Sequence, residues 1–311
     1  MAGPADVIVA DAPQGNWVDR YAPVWLKPWL RLGRFDRPIG AWLLMWPCWW
    51  SAALAARAAA DASSLPAHLV LFGLGAFVMR GAGSTWNDFL DRDIDARVER
   101  TRNRPLPAGQ VSPLGALAFA ALQSLVGLVV LLQFNGFAVA LGCLSLVLVA
   151  IYPLMKRFFW APQLVLGLAF AWGALMGWAA VFASLSLAPL LLYLGGIAWC
   201  IGYDTIYGHQ DERDDAVIGV RSTSRLFGRG SRAAIGALYA AAVVFIGAAL
   251  ALAGSGWLGF AGLAAFAGHL AWQMMRLDVR APAVCLRLFR SNRDAGALLF
   301  VGLLLEAIWA A

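Results

Sequence analysis

The stretch Asn87-Asp88-Phe89-Leu90-Asp91-Arg92-Asp93-Ile94-Asp95 decides how this chain is read. It follows directly on an apolar run that opens near Pro66. Residues four apart on a helix lie one turn above another, so Asn87, Asp91 and Asp95 share a face and Asp88 lies beside them. An edge so rich in oxygen suits a hard divalent cation, with Mg²⁺ the first choice. A second cluster follows in the other half of the chain: Asp204, Asp211, Glu212, Asp214 and Asp215. Positions 204, 208, 211 and 215 again fall on one helical face. The two clusters hold half of the 18 acidic residues, and the remainder of the chain reads as the scaffold around them.

That scaffold is apolar. The chain has 311 residues, 61% hydrophobic and 14% charged, too few charges for an ordinary soluble domain. Apolar runs of about 20 residues recur, enough to cross a hydrocarbon core as helices. The pattern predicts an all-α polytopic membrane protein with nine spans. They lie near 38–57, 66–88, 113–133, 136–153, 162–182, 187–207, 232–253, 256–275 and 294–311. Pro66, Pro113, Asn135-Gly136, Pro162, Pro189 and Gly254-Ser255-Gly256 mark the divisions. The fourth span is short, and Glu306 interrupts the ninth. Residues 1–16 read as a disordered tail without the basic start and apolar core of a signal peptide. Residues 17–311 read as a single membrane domain. At its start Trp17, Tyr21, Trp25 and Trp29 alternate with Arg20, Lys27, Arg31 and Arg34. This is the pattern of an interfacial helix, broken near Pro23 and Pro28.

Charge distribution tests the span assignment. All of the 24 Lys and Arg residues except Arg57 and Arg80 fall on one side of the nine-span arrangement. By the positive-inside rule that side is cytoplasmic. The net charge of +6 therefore reflects topology, not nucleic-acid binding. Both acidic clusters lie on the same side, each at the end of an even-numbered span and each followed by a basic loop. Spans two and six thus play matching roles, as internal repeats of helix groups do. Cys48, Cys143, Cys200 and Cys285 are scattered in or near apolar segments without metal-ligand spacing and read as small buried apolar residues.

Carboxylates packed this closely repel unless a cation or a proton relieves them, which supplies an electrostatic motive for Mg²⁺. Basic residues surround them: Arg92, Arg97, Arg102 and Arg104 after the first cluster, Lys156 and Arg157 after Tyr152-Pro153, and Arg221 after the second cluster. Acidic residues, Mg²⁺ and guanidiniums together suit a diphosphate. Positive-inside topology alone would also place arginines in these loops. Arg80 lies seven residues before Asn87 on nearly the same face. A charge inside a span usually faces an interior cavity, where it either binds an anionic substrate group or holds an aspartate. Arg34 and Asp36 either reach the same cavity or anchor span one at the interface. His68 and His269 read as structural, and His209 is a weak site candidate.

These segments resemble the UbiA superfamily of intramembrane aromatic prenyltransferases, and within it the branch that acts on 4-hydroxybenzoate. The matching pieces run in family order: R-F-D-R-P-I-G with M-W-P (34–40, 45–47), N-D-F-L-D-R-D-I-D (87–95), N-R-P-L-P-A-G (103–109), Y-P-L-M-K-R (152–157), D-T-I-Y-G-H-Q-D-E-R-D-D (204–215) and G-V-R-S-T-S-R-L-F-G (219–228). The resemblance covers about residues 20–311, with Gly208 standing where alanine is expected. It implies nine transmembrane helices around a central cavity, with two facing acidic motifs that hold Mg²⁺ and a prenyl diphosphate. The metal set it implies is Asn87, Asp88, Asp91, Asp95, Asp204, Asp211 and Asp215. The site expected from these motifs takes Asp91, Asp204 and Arg157 as catalytic, and Arg34, Arg80, Arg104, Tyr152, Lys156, Arg157, Tyr207 and Arg221 as substrate-binding. The implied reaction moves a polyprenyl chain to the ring carbon ortho to the 4-hydroxybenzoate hydroxyl, in ubiquinone biosynthesis. The implied location is a bacterial inner membrane with the acidic motifs on the cytoplasmic side. Polyprenyl diphosphate, 4-hydroxybenzoate and membrane lipid are the expected partners, with no nucleic acid and no obligate protein partner.

Three other readings compete. A sister enzyme would join the same diphosphate chemistry to another aromatic or haem acceptor. A cation-coupled transporter would place its carboxylates nearer the midplane and not amid cations at one membrane face. A non-enzymatic scaffold leaves the paired acidic clusters unexplained.

Overall fold

The computed structural model describes residues 12–13, 15–99, 101–210 and 221–310, the side chains of Lys156 and Ala310 excepted. Most of the expected tail over 1–16 lies outside the described residues, as do Asp211 and Asp215. Among the described residues all regular structure is helical. In chain order the helices are α1 (Trp17–Tyr21), α2 (Lys27–Leu32), α3 (Ile39–Ala59), α4 (Leu65–Asp95), α5 (Pro113–Leu131), α6 (Gly136–Phe158), α7 (Pro162–Phe170), α8 (Gly173–Phe182), α9 (Leu187–Gly208), α10 (Thr223–Phe227), α11 (Ser231–Leu252), α12 (Trp257–Arg276) and α13 (Pro282–Ala310).

Against nine expected spans, 7 stretches of the described chain are long and apolar enough to cross a membrane: Ile39–Ala59, Leu65–Asp95, Pro113–Leu131, Gly136–Met155, Pro162–Phe182, Leu187–Gly208 and Thr223–Leu252. The helices α12 and α13 fall outside this set. α12 carries His269 and Gln273, and α13 carries Arg287, Arg290, Arg293 and Asp294 in its first half. The chain divides into two compact units, residues 1–42 with 73–133, and residues 43–72 with 134–311.

In the first unit, the expected interfacial helix is two short ones, because Pro23 and Pro28 deny the backbone N–H groups a continuous helix needs. Asn16 caps α1 by accepting from the Asp19 amide. The Asp19 carboxylate then reaches Arg31 on α2 at 2.8 Å. The apolar floor of this unit is Leu32, Leu106, Val111 and Ala116, with Trp29, Phe89 and Phe119 packed against it. That floor ties α2, α4 and the opening of α5 to the loop that joins the last two.

The second unit is built on rings and close backbones. Trp50 packs at a tilt against Trp199, ring centroids 5.0 Å apart, and meets Phe266 edge-on, and its indole N–H donates to the Gly296 carbonyl at 2.9 Å. Gly177 on α8 lies so near the Cys48 carbonyl and the Ala52 amide of α3 that a methyl group there would collide with backbone. The residue that seemed to interrupt the last span has a structural task. Glu306 is buried on α13 and accepts from the Ser255 hydroxyl at 3.0 Å and from the Gly256 and Gly259 amides at the start of α12. Arg57, at the end of α3, donates to it at 3.2 Å. A helix start carries unpaired N–H groups and a partial positive charge, so the carboxylate satisfies both.

Replacing Glu306 with alanine leaves those amides and Arg57 without their acceptor in an apolar surrounding. Glu306→Ala is expected to lower stability by about 2 kcal/mol or more, with Glu306→Gln intermediate. Thermal melting of the purified protein in detergent measures this, and the activity of the folded fraction should be retained.

Candidate active site

The first acidic motif is helical throughout, since α4 continues past the expected end at 88 to Asp95. At about 100° per residue, Arg80, Asn87 and Asp91 fall along one strip of α4, and Asp88 and Asp95 along the strip beside it. The second strip is where the charges are matched. Arg34 Nη2 donates to both Asp88 oxygens, at 2.6 and 2.8 Å. Arg104 Nη1 bridges Asp88 Oδ1 at 3.3 Å and Asp95 Oδ2 at 2.9 Å. The Asp88 side chain is 0% exposed, so the usual cost of burying a carboxylate is offset by two guanidiniums.

Both arginines are held from below. α2 ends in a Schellman motif, with the Phe35 amide donating to the Leu30 carbonyl at 2.9 Å and the Arg34 amide to the Arg31 carbonyl at 3.1 Å. The left-handed position of this motif usually falls to glycine. Here it is Arg34, at φ 63°, and Gly33 precedes it with an ordinary negative φ. A side chain in that conformation costs about 1 kcal/mol, which the pair with Asp88 offsets. Arg104 opens a turn whose Leu106 and Val111 are sunk in the apolar floor described above. Asp36, buried, pairs with Arg37 at 2.6 Å. Arg80 donates to Ser84 one turn along α4. Its guanidinium fills the space above Gly40, where any Cβ would strike it.

In the second unit, Asp204 is half-buried on α9 between Tyr203 and Thr205. The Thr205 and Thr223 hydroxyls share a hydrogen bond of 2.6 Å, and the Thr223 amide donates to Gln163 Oε1 at 2.9 Å. Ser222 and Ser224 join hydroxyls at 2.9 Å. These residues brace α9 beside Asp204, and sequence reading passed over Gln163 and Thr223. No spacing rule links positions so far apart; a run of three hydroxyls followed by an arginine was the available signal. Tyr207 packs on Phe289 with ring centroids 4.5 Å apart, and His209 is buried just beyond the helix end.

The residues expected at the diphosphate from the other loops are placed variously. α6 does not stop at Pro153 but runs on to Phe158, with Tyr152 half-buried and Arg157 exposed in its last turn. The Lys156 side chain lies outside the described set. Arg221 donates to the Phe158 carbonyl and stacks over Trp160 at 4.8 Å, so it ties the start of α10 to the loop after α6.

Does this donor set suit Mg²⁺? Among the described residues no three His, Cys, Asp or Glu side chains converge as a ready-made metal site. Asp88 and Asp95 are engaged by arginines, and Asp211 and Asp215 lie outside the description. Mg²⁺, however, rarely uses an all-protein cage. It keeps several waters and takes one or two carboxylates together with substrate phosphates. Asn87 with Asp91, and Asp204 in the other unit, are oxygen donors of the kind that ion takes, so the residues present fit it.

A model of the UbiA prenyltransferase family matches residues 44–303. The 4-hydroxybenzoate polyprenyltransferase of Arabidopsis thaliana, named as mitochondrial, is 45% identical over 302 residues, covering 96% of this chain and 72% of its own length. The equally named protein of Drosophila melanogaster is 48% identical over 291 residues, covering 91% and 72%. Among solved structures, the apo UbiA homolog of Aeropyrum pernix K1 superposes with a TM-score of 0.70 at 26% identity, covering 85% of this chain and 97% of that one. The Archaeoglobus fulgidus homolog bound to GPP and Mg²⁺ has a TM-score of 0.65 at 16% identity, covering 90% and 99%. The mitochondrial relatives overturn the expected bacterial inner membrane, and with it the cytoplasmic label on the basic side. Asymmetry of Lys and Arg orients a chain across a bilayer but does not say which bilayer.

The floor beneath Arg104 generates a test. Leu106→Ala is expected to cost about 2–3 kcal/mol of stability. It should also weaken diphosphate binding, because the turn that aims Arg104 loses its anchor. Melting temperature and diphosphate affinity measured together check both.

Proposed function

The chain belongs to the UbiA prenyltransferase family, and from that premise we infer that it catalyses the reaction for which its relatives are named. It transfers a polyprenyl chain from polyprenyl diphosphate to 4-hydroxybenzoate, releasing diphosphate, as a step of ubiquinone biosynthesis. One observation carries this reading: identity of 45% with such an enzyme across 96% of the chain. It extends through the acidic motif whose carboxylates and guanidiniums are buried together. Incubating membranes that contain the protein with 4-hydroxybenzoate, a polyprenyl diphosphate and Mg²⁺, followed by mass measurement, should show a prenylated acid.

The chemistry follows from the residues. An allylic C–O bond breaks when the departing diphosphate is neutralised. Arg34 and Arg104 supply fixed positive charge beside α4, and Arg157, Lys156 and Arg221 supply it in the other unit. Mg²⁺, when bound, would be held by Asn87 and Asp91 and by Asp204, Asp211 and Asp215. It would add Lewis-acid neutralisation of the phosphate oxygens. The allylic cation is quenched by water, so the apolar helices around it protect the reaction. The ring carbon ortho to the phenol is the electron-rich partner. Arg80 is suited to a carboxylate by its planar fork, and we assign it to the acid group of 4-hydroxybenzoate. In this reading α12 and α13 also cross the membrane and α7 with α8 form one broken span, which makes nine.

Three outcomes are expected. Excess chelator abolishes turnover and added Mg²⁺ restores it. Asp91→Ala and Asp204→Ala each lower kcat by about 10²-fold or more while the protein remains membrane-inserted; near-normal turnover in either removes that residue from the metal set. Arg80→Lys keeps the charge but loses the fork, so the KM for the aromatic acid should rise more than the KM for the diphosphate. Steady-state kinetics varying one substrate at a time decides this, and the reverse pattern would move Arg80 to the diphosphate.

A further inference from the structure

We propose that Asp88 is a positioning residue and not a metal ligand: it fixes the Arg34 and Arg104 guanidiniums so that their charge meets an incoming diphosphate. The family resemblance groups Asp88 with the metal set, but its surroundings separate it. Both of its oxygens are taken by Arg34, one of them also by Arg104, and the side chain has no exposed surface. Mg²⁺ arrives with a water shell that it gives up reluctantly. A carboxylate with three of its four lone-pair sites taken by two guanidiniums and no exposed surface has no room to receive it. Asp88 also lies off the strip that carries Asn87 and Asp91, toward Asp95, with which it shares Arg104.

The backbone points the same way. Arg34 occupies the position of the α2 terminus that glycine would fill at lower cost. Glycine there would relieve the backbone and lose the guanidinium. An arginine retained in that conformation has its side chain aimed by the turn itself, and Asp88 is what it is aimed at. Arg34 gives Nη2 to Asp88 and Nη1 to the Arg31 carbonyl at 3.3 Å; Arg104 gives Nη1 to Asp88 and Asp95. Asp88 thus sets the place and orientation of two cations whose charge the site uses, and holds them apart from the carboxylates that take the metal.

This rests on the diphosphate-site reading above, so the test measures binding directly, without the aromatic acceptor. Purified protein is titrated with Mn²⁺, followed by electron paramagnetic resonance, and then with geranyl S-thiolodiphosphate, an analogue that does not ionise. Asp88→Asn should leave Mn²⁺ affinity within about twofold of wild type and weaken the analogue about tenfold or more. Asp91→Asn should weaken Mn²⁺ itself about tenfold. Adding Arg34→Gln to Asp88→Asn should cost less than the two losses multiplied, since both break one pair. Loss of Mn²⁺ affinity in Asp88→Asn comparable to that in Asp91→Asn overturns the proposal and returns Asp88 to the metal. A lowered melting temperature with unchanged affinity for the analogue also overturns it and leaves a structural clasp. Should Asp88→Asn fail to fold, Asp88→Glu serves in its place. It keeps the charge that pairs with Arg34 and Arg104 but moves the carboxylate by one methylene, so Mn²⁺ affinity should stay within about twofold of wild type while the analogue binds about tenfold more weakly, and analogue affinity equal to wild type overturns the proposal. A wild-type protein that binds neither probe would reject the diphosphate-site reading itself.

Discussion

A carboxylate without solvent exposure at the end of a membrane-crossing helix must find cations, and Asp88 finds two. Much of the first unit is arranged by that need. α2 ends in a left-handed arginine because the guanidinium must turn back toward α4. The loop after α4 folds so that Leu106 and Val111 enter the same apolar floor as Leu32, which carries Arg104 to the same carboxylate. Neither half suffices alone. Apolar burial sets the loop in place but has no direction, and the ion pairs have direction but would be too costly to bury without the packing that surrounds them.

The division of labour within one helix then becomes intelligible. Along α4, one strip is matched by Arg34 and Arg104, and the neighbouring strip, with Asn87 and Asp91, is the one we assign to the metal. The proposed roles thus divide between two strips about 70° apart around a cylinder. The second acidic motif shows a related logic with neutral partners: Thr205, Thr223 and Gln163 brace the helix next to Asp204 by hydroxyl and amide bonds.

Much of this was legible beforehand, for physical reasons. Apolar length announces membrane helices, and proline and glycine punctuate them. Four-residue spacing predicted a helix through Asn87, Asp91 and Asp95, and α4 does run to Asp95, although Arg104 draws Asp95 to the strip of Asp88. What stayed hidden depends on contacts distant in sequence. Gly33 is the residue one would have chosen for the left-handed turn, and only the fold shows that Arg34 holds it. The periodicity sets Asp88 beside Asp91 but does not show what Asp88 meets, because its partners lie 54 and 16 residues away. The contacts of Arg221 with the Phe158 carbonyl and Trp160 were equally out of reach of spacing, since they join segments as far as 63 residues apart. Glu306 read as a flaw in the last span because its beneficiaries, Arg57 and the start of α12, lie elsewhere in the chain.

Glu306 also bears on biogenesis. Arg57 and the carboxylate that receives it are 249 residues apart, with most of the chain synthesised between them. At translation, the end of α3 and later the amides of Gly256 and Gly259 are made before their acceptor exists. Until α13 is made and packed, those groups must be served by lipid headgroups, by water or by the insertion machinery. The last helix therefore acts as a latch: its arrival converts a set of provisionally solvated ends into a closed unit. A lesion near Glu306 would show itself first as a chain that inserts normally and is then cleared by membrane quality control, with its chemistry never put to the test.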